Sequence, residues 1–222
     1  MDIGKVLNES LGYGKDMVWG KWVRWILLIF CTLFFPLILG YEVEIYRGNK
    51  PAPDWCRLER YFIEGLKLFV ISIVYAIPTL IVLFATIGAG ILAVRSPAGA
   101  MAMWGTLAAG IVITIIVAFI TSVFSAMGFV RFARTGKMGE AFNFGTIIER
   151  IGKIGWGSYI LALIVMIVVA GVVAVILSLI PVIGTILVFI AAPFLTVFSA
   201  GYITLLYDSV PAEAPPASPP AA

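Results

Sequence analysis

Five long apolar runs dominate the pattern of the chain, at roughly 23–39, 66–94, 102–127, 158–180 and 183–206. Their interiors carry no Asp, Glu, Lys or Arg; Arg24 and Lys67 stand at the entrances of the first two. A helix needs about 20 apolar residues to cross the hydrocarbon core of a bilayer. Four runs exceed that. The first reaches it when Trp22 and Tyr41 are placed at the two interfaces. Backbone groups in lipid must be satisfied within the segment, so these runs predict helices. The fold class expected is all-α, an integral membrane bundle of about five spans over residues 23–41, 66–94, 102–127, 158–180 and 183–206. Residues 1–207 form one membrane domain, and the Pro/Ala-rich 208–222 is expected to be a disordered tail.

Between the runs the period changes, which predicts two or three amphipathic interfacial helices. In residues 2–11, Ile3, Val6, Leu7 and Leu11 make one stripe opposite Lys5, Asn8 and Glu9. Gly12, Tyr13 and Gly14 are expected to end that helix on the membrane surface. Trp19, Trp22 and Trp25 then make an aromatic belt. The first span is expected to run on to Tyr46 or Arg47, with Glu44 and Arg47 paired on its surface and a stop at Gly48. After Lys50-Pro51-Ala52-Pro53, Asp54 caps a helix whose apolar face is Trp55, Leu58, Tyr61, Phe62 and Leu66, opposite Arg57, Arg60, Glu64 and Lys67. In 139–153, Phe144, Ile147, Ile148, Ile151 and Ile154 recur at helical spacing opposite Glu140, Asn143, Thr146, Arg150 and Lys153. Pro78 and Pro193 fall within spans two and five and are candidate hinges or kinks. Gly88, Gly90 and Gly105 are candidates for close helix approach. Ile180 to Gly184 predicts a tight hairpin.

Three spans end in related phrases: FPLILGY at Tyr41, VFSAMGF at Phe129 and VFSAGY at Tyr202. The first two are followed by a basic stub, a glycine, an amphipathic helix and another span. Gly40 and Gly128 are separated by 88 positions, as are Gly48 and Gly136. The shared order implies a parallel duplication of span, surface helix and span, with the fifth span opening a third copy. Such a repeat differs from the inverted repeats of many secondary transporters.

The composition, 62% hydrophobic and 12% charged, selects the membrane class over a soluble domain. The net charge of +3 comes from Lys and Arg dispersed between the runs, so no nucleic-acid partner is expected. With five spans, one side of the membrane carries five basic residues and the side with the two amphipathic loops carries ten. The positive-inside rule places those loops in the cytoplasm of a multi-pass cell-membrane protein. The N-terminus then lies outside despite its own four basic residues; a re-entrant first run broken at Pro36 would return it.

The chain has no histidine, which removes the commonest metal ligand and general base. Cys31 and Cys56, expected at different depths, read as free thiols. No catalytic, cofactor or metal-binding residues are expected, and no cofactor. Gly88-Ala89-Gly90 lacks the Lys and Ser/Thr of a phosphate loop. The acids of the first loop interleave with arginines and read as a salt-paired surface. Arg47, Arg57, Arg60, Arg131, Arg134 and Lys137 are the candidates for lipid-headgroup or interface contact.

The strings GYEVEIYRG, KPAPDW and YFIEGLKLF, with Gly40-Tyr41, Arg47, Gly48, Pro51 and Pro53-Asp54-Trp55, resemble domain-of-unknown-function family 4013, a group of polytopic membrane proteins found mainly in archaea and some bacteria. The resemblance covers about residues 15–207. It implies a helical fold and a cell-membrane location, and no activity or functional residue. The function expected is non-enzymatic membrane organisation or scaffolding. The alternative is a permease or export component for a small or lipophilic solute. The bilayer is the expected partner, with membrane proteins or further copies of the chain as candidates.

Overall fold

The computed structural model describes residues 3–18, 35–48, 58–93, 97–181 and 183–211. The tryptophan belt, most of the first run with Cys31, the linker with Asp54, Cys56 and Arg57, the residues 94–96 and the tail beyond 211 lie outside the described residues. The helices are α1 Ile3–Val18, α2 Phe35–Tyr46, α3 Leu58–Ala93, α4 Pro97–Thr135, α5 Phe144–Ile154, α6 Trp156–Ser178 and α7 Gly184–Asp208. A 3-10 turn, Met138–Phe142, joins α4 to α5. There is no strand among the described residues. The chain is an all-helical membrane bundle, and α3, α4, α6 and α7 each hold a stretch long and apolar enough to cross a bilayer. The 12 residues of α2 are too few to cross at 1.5 Å per residue, so a fifth span would depend on residues outside the description.

The helices differ from the expected ones for identifiable reasons. α1 continues through Gly12 and Gly14 to Val18. Ile3, Val6 and Leu7 pack onto the protein core, and the helix lies against α7. Tertiary packing thus outweighs the helix penalty of two glycines. The surface helix before span two is the first part of α3, which runs for 36 residues. Its buried face is Tyr61, Gly65 and Leu68, whereas Phe62 and Leu66, expected on the buried stripe, face outward. The stripe turns because α2 packs against this stretch. A Cβ on Gly40 would fall on the backbone of Tyr61, and one on Gly65 on the carbonyl of Pro36. Those two glycines bring the α2 and α3 backbones together, as small residues do in membrane bundles. Of the glycines expected to do so, Gly88 and Gly105 face open space, and only Gly90 has a close neighbour, the Leu107 side chain. Gly110, against Thr86, is the tighter α3–α4 contact.

Pairing of 40 with 61 and 36 with 65 makes α2 antiparallel to α3. α4 is antiparallel to α3 across their hairpin, so α2 and α4 are parallel, the direction the duplication requires. Buried residues concentrate in 38–46, 61–75, 123–133, 141–163 and 197–206. In an up-and-down bundle these are all the same end. Toward the other end the surface is apolar: Ile81, Phe84 and Ile91 on α3, Ile115 and Ile116 on α4, Ile167 and Ile176 on α6 are exposed. Hydrocarbon is the solvent that suits such a surface. Pro78 and Pro193 sit inside unbroken helices.

Candidate functional site

Three helices, α2, α4 and α7, end side by side at the packed end. Each helix C-terminus leaves carbonyls without an intrahelical donor and carries partial negative charge. An arginine from a different element meets each one. Arg134 of α4 donates from Nε to the Tyr46 carbonyl of α2 at 2.8 Å. Arg47, just after α2, returns the bond, donating from Nε to the Ala133 carbonyl of α4 at 3.1 Å. Arg150 of α5 donates to the carbonyls of Tyr207 at 2.6 Å, Val210 at 3.0 Å and Pro211 at 2.8 Å at the end of α7. Thr204 of α7 adds a bond to the Ile45 carbonyl at 3.2 Å. A planar guanidinium spreads its donors over three nitrogens and can reach carbonyls several ångströms apart, whereas an ammonium must gather its acceptors around one nitrogen.

Gly48 and Gly136, the pair 88 positions apart, both take positive φ, 78° and 71°. Each accepts the left-handed turn that ends its helix. Gly48 has a second constraint, because a Cβ there would lie 2.8 Å from Arg134 Nη2.

Carboxylates lock the arginines. Arg47 meets Glu44 at 2.5 Å and Glu64 at 2.6 Å, and Arg60 reaches Glu64 at 3.1 Å and Glu44 at 3.5 Å. Burial would lower the pKa of Arg47, but Glu64 and Glu44 more than offset it and raise it above its ordinary value. Glu44 is buried, so the cluster is an internal network between α2 and α3 and not the solvated surface expected. Arg131 reaches Glu140 at 2.6 Å and ties the 3-10 turn to α4. The hydrogen bond from Arg131 holds the Glu140 carboxyl below its ordinary value. Arg134 Nη2 also meets both oxygens of Asp208, at 2.9 and 2.8 Å. The Arg150 guanidinium lies 4.2 Å from the Tyr207 ring centroid, a cation–π distance.

Of the residues expected at lipid headgroups, Arg47, Arg131 and Arg134 spend their guanidinium groups on protein partners. Arg60 is half-exposed through its pairing, and Lys137 is exposed. Arg57 lies outside the described residues. Arg150, expected on the polar side of the 139–153 helix, is only 2% exposed. Ile147 and Ile151 of that helix are buried as expected, but Phe144 and Ile148 are exposed. Glu42, three residues beyond the first apolar run, reads from the pattern as one of the salt-paired surface acids of the first loop, but burial pushes its carboxyl up to about 8. The signal that could have found the arginine ties is the 88-residue offset itself, which sets Arg134 at the repeat position of Tyr46.

Near this end, α3 and α4 part around a cavity of about 330 Å³. Val74, Tyr75 and Pro78 form one wall, and Val117, Thr121 and Phe124 the other. Phe142 and Phe144, flanking the junction of the 3-10 turn and α5, close one end. Tyr75 donates to the Ala141 carbonyl at 2.5 Å and stacks on Phe142 with centroids 5.4 Å apart. Pro193, in contrast, is buried in α7. Among the described residues no cluster of Cys, Asp or Glu is arranged to hold a metal.

No curated protein and no solved structure matches the chain. A family model described as a protein of unknown function, DUF4013, matches residues 25–182. With a match over most of its length, the chain belongs to the DUF4013 family of proteins of unknown function.

Proposed function

We propose that this chain is a non-enzymatic multi-pass component of the cell membrane. Its tied end is a rigid platform at the cytoplasmic face that organises lipid or neighbouring membrane proteins. The observation that carries the reading is the capping of three helix C-termini, α2 and α4 by each other's Arg134 and Arg47 and α7 by Arg150. Such ties commit the polar groups of that end to holding helices in register. A transport pathway would instead keep polar groups free for substrate or ion, often beside broken helices at membrane depth. Here α3 and α7 run unbroken through their prolines.

The test is reconstitution in sealed vesicles. The expected result is no solute uptake driven by a proton or sodium gradient above that of empty vesicles. Lipid order, read with an environment-sensitive dye, should change in proportion to protein content. That change should shrink when Arg134→Ala loosens the platform. A gradient-driven flux abolished by mutation would replace this reading with a permease. One observation favours that second reading, the apolar cavity beside Pro78, which suits a lipophilic solute better than an ion.

A further inference from the structure

The cavity between α3 and α4 is chemically one-sided. Its walls are aliphatic and aromatic, and each hydroxyl in them is already used. Tyr75 donates to the Ala141 carbonyl, and Thr121 donates to the Val117 carbonyl at 2.8 Å. A water placed there would want two to four polar partners and would find few. An empty space of this size would forfeit dispersion contacts along its whole lining. The cavity is not sealed, however. Val74 and Ile120 on its rim are exposed, and the surface they join is the apolar flank of the two spans, Ile73, Ile77, Ile113 and Ile116. That flank is bathed in hydrocarbon, so the opening is lateral and faces lipid.

The other end is closed by aromatic rings. Phe142 stacks on Tyr75, and Phe144 stands edge-on to both Tyr75 and Phe124, with centroids 6.4 and 5.9 Å apart. These two phenylalanines flank exposed Asn143, in the amphipathic segment expected at the membrane interface. The cavity therefore runs from interfacial depth toward the bilayer interior, the course of a lipid tail. A volume of about 330 Å³ lies at the small end of ligand sites. It holds on the order of ten methylene-sized groups, taking the ~30 Å³ share of a liquid water as the yardstick.

Pro78 lies in the α3 wall of the cavity. It has no N–H for the Val74 carbonyl one turn earlier, and its ring widens the helix there. Val74 and Pro78 both line the cavity.

We propose that this cavity is a binding site for the hydrocarbon chain of a bilayer lipid. The chain lies between α3 and α4 against Tyr75 and Pro78, with its headgroup at the level of Asn143. The site requires only that α3 and α4 stand in a membrane, and it holds whether the protein organises the bilayer or moves a solute.

The experiment uses the full chain in vesicles containing a phospholipid with a photoactivatable diazirine in one acyl chain. Adducts are mapped by peptide mass spectrometry after irradiation. Peptide adducts at the inner walls, Tyr75 and Phe124, are expected to exceed those at freely lipid-exposed Ile81 and Ile115 by about fivefold per residue. They should also persist when bulk lipid is stripped by mild detergent. Val117→Phe, which fills the cavity, should remove the wall adducts and leave those at Ile81 and Ile115 unchanged. Should that variant fail to elute as a folded species, the milder Thr121→Met takes its place with the same expectation. Wall labelling no stronger than at Ile81, or undiminished by filling, overturns the site. Labelling of the walls by a diazirine alkane without a headgroup, when the phospholipid gives none, overturns the lipid assignment in favour of a free lipophilic solute.

Discussion

Arg150 shows most sharply what one side chain does in this protein. It is almost wholly buried and donates to three carbonyls at the end of α7. A hydrogen bond to a charged group contributes about 1.5–3 kcal/mol, and carbonyls left bare in a buried place cost more. Arg150→Met is therefore expected to destabilise the protein by at least about 3 kcal/mol. Arg150→Lys should recover little, because an ammonium has one nitrogen to reach carbonyls that Arg150 meets with two. Lys153→Met, which breaks only the exposed pair with Glu149, should stay within about 0.5 kcal/mol. Denaturant unfolding in detergent micelles measures all three. The glycines make a parallel case. Gly40→Ala drives a methyl into the Tyr61 backbone and should cost at least about 1–3 kcal/mol as overpacking. Gly88→Ala meets open space and should be neutral or gain up to about 1 kcal/mol from helix propensity. Residue identity announced that the arginines and glycines matter, but not where they point. A helical wheel sets Arg150 among polar residues because it knows nothing of α7 arriving on that side. The three carbonyls it meets lie 57 to 61 positions away.

At the scale of elements, the spans were legible because lipid imposes its length rule on any sequence, and four helices obey it. The pieces between them were less so. Periodicity placed the end of α5 closely, but the expected start at 139 falls in the 3-10 turn Met138–Phe142 and the helix begins at Phe144, with its buried stripe narrowed to Ile147 and Ile151 and Arg150 between them. On α3 the stripe rotated toward Tyr61 and Leu68 because the partner is α2, not the membrane surface. α2 also carries the element-scale prediction. The Glu42 carboxyl has a folded pKa of about 8, against about 4.3 when unfolded. Between those values the folded state binds more protons than the unfolded one, so stability falls as pH rises through the window. Glu42→Gln is expected to match the wild type near the acidic end and to be more stable above about pH 8, with the slope between them reduced. Unfolding midpoints measured across that range in detergent check it. A wild-type slope unchanged by the substitution would show that another group titrates.

For the whole molecule, the 88-residue offset read in the sequence has a physical consequence in the structure. Tyr46 and Arg134 stand at equivalent positions of the two copies, and so do Ile45 and Ala133. The ties run from Arg134 to Tyr46 and from Arg47 to Ala133, so the copies hold each other at the same turn of the same helix. The pattern named no solute or partner, because the arginines it offered as interface contacts, Arg47, Arg131 and Arg134, are committed to protein partners. Orientation follows more firmly. Direct contact between the ends of α2 and α4 means that Glu59, at the start of α3, and Asn143, after the 3-10 turn, must lie on one side of the membrane, whatever the first run does. By the positive-inside rule the ten basic residues of the two loops are expected to put that side in the cytoplasm. In a cysteine-free background, Glu59→Cys and Asn143→Cys should both resist an impermeant thiol reagent in intact cells and both react after permeabilisation. The two halves of that expectation fail separately. Labelling of both sites in intact cells would reverse the charge argument while leaving the fold intact. Labelling of one without the other would contradict the packing of α2 on α4, and with it the platform on which the functional reading stands.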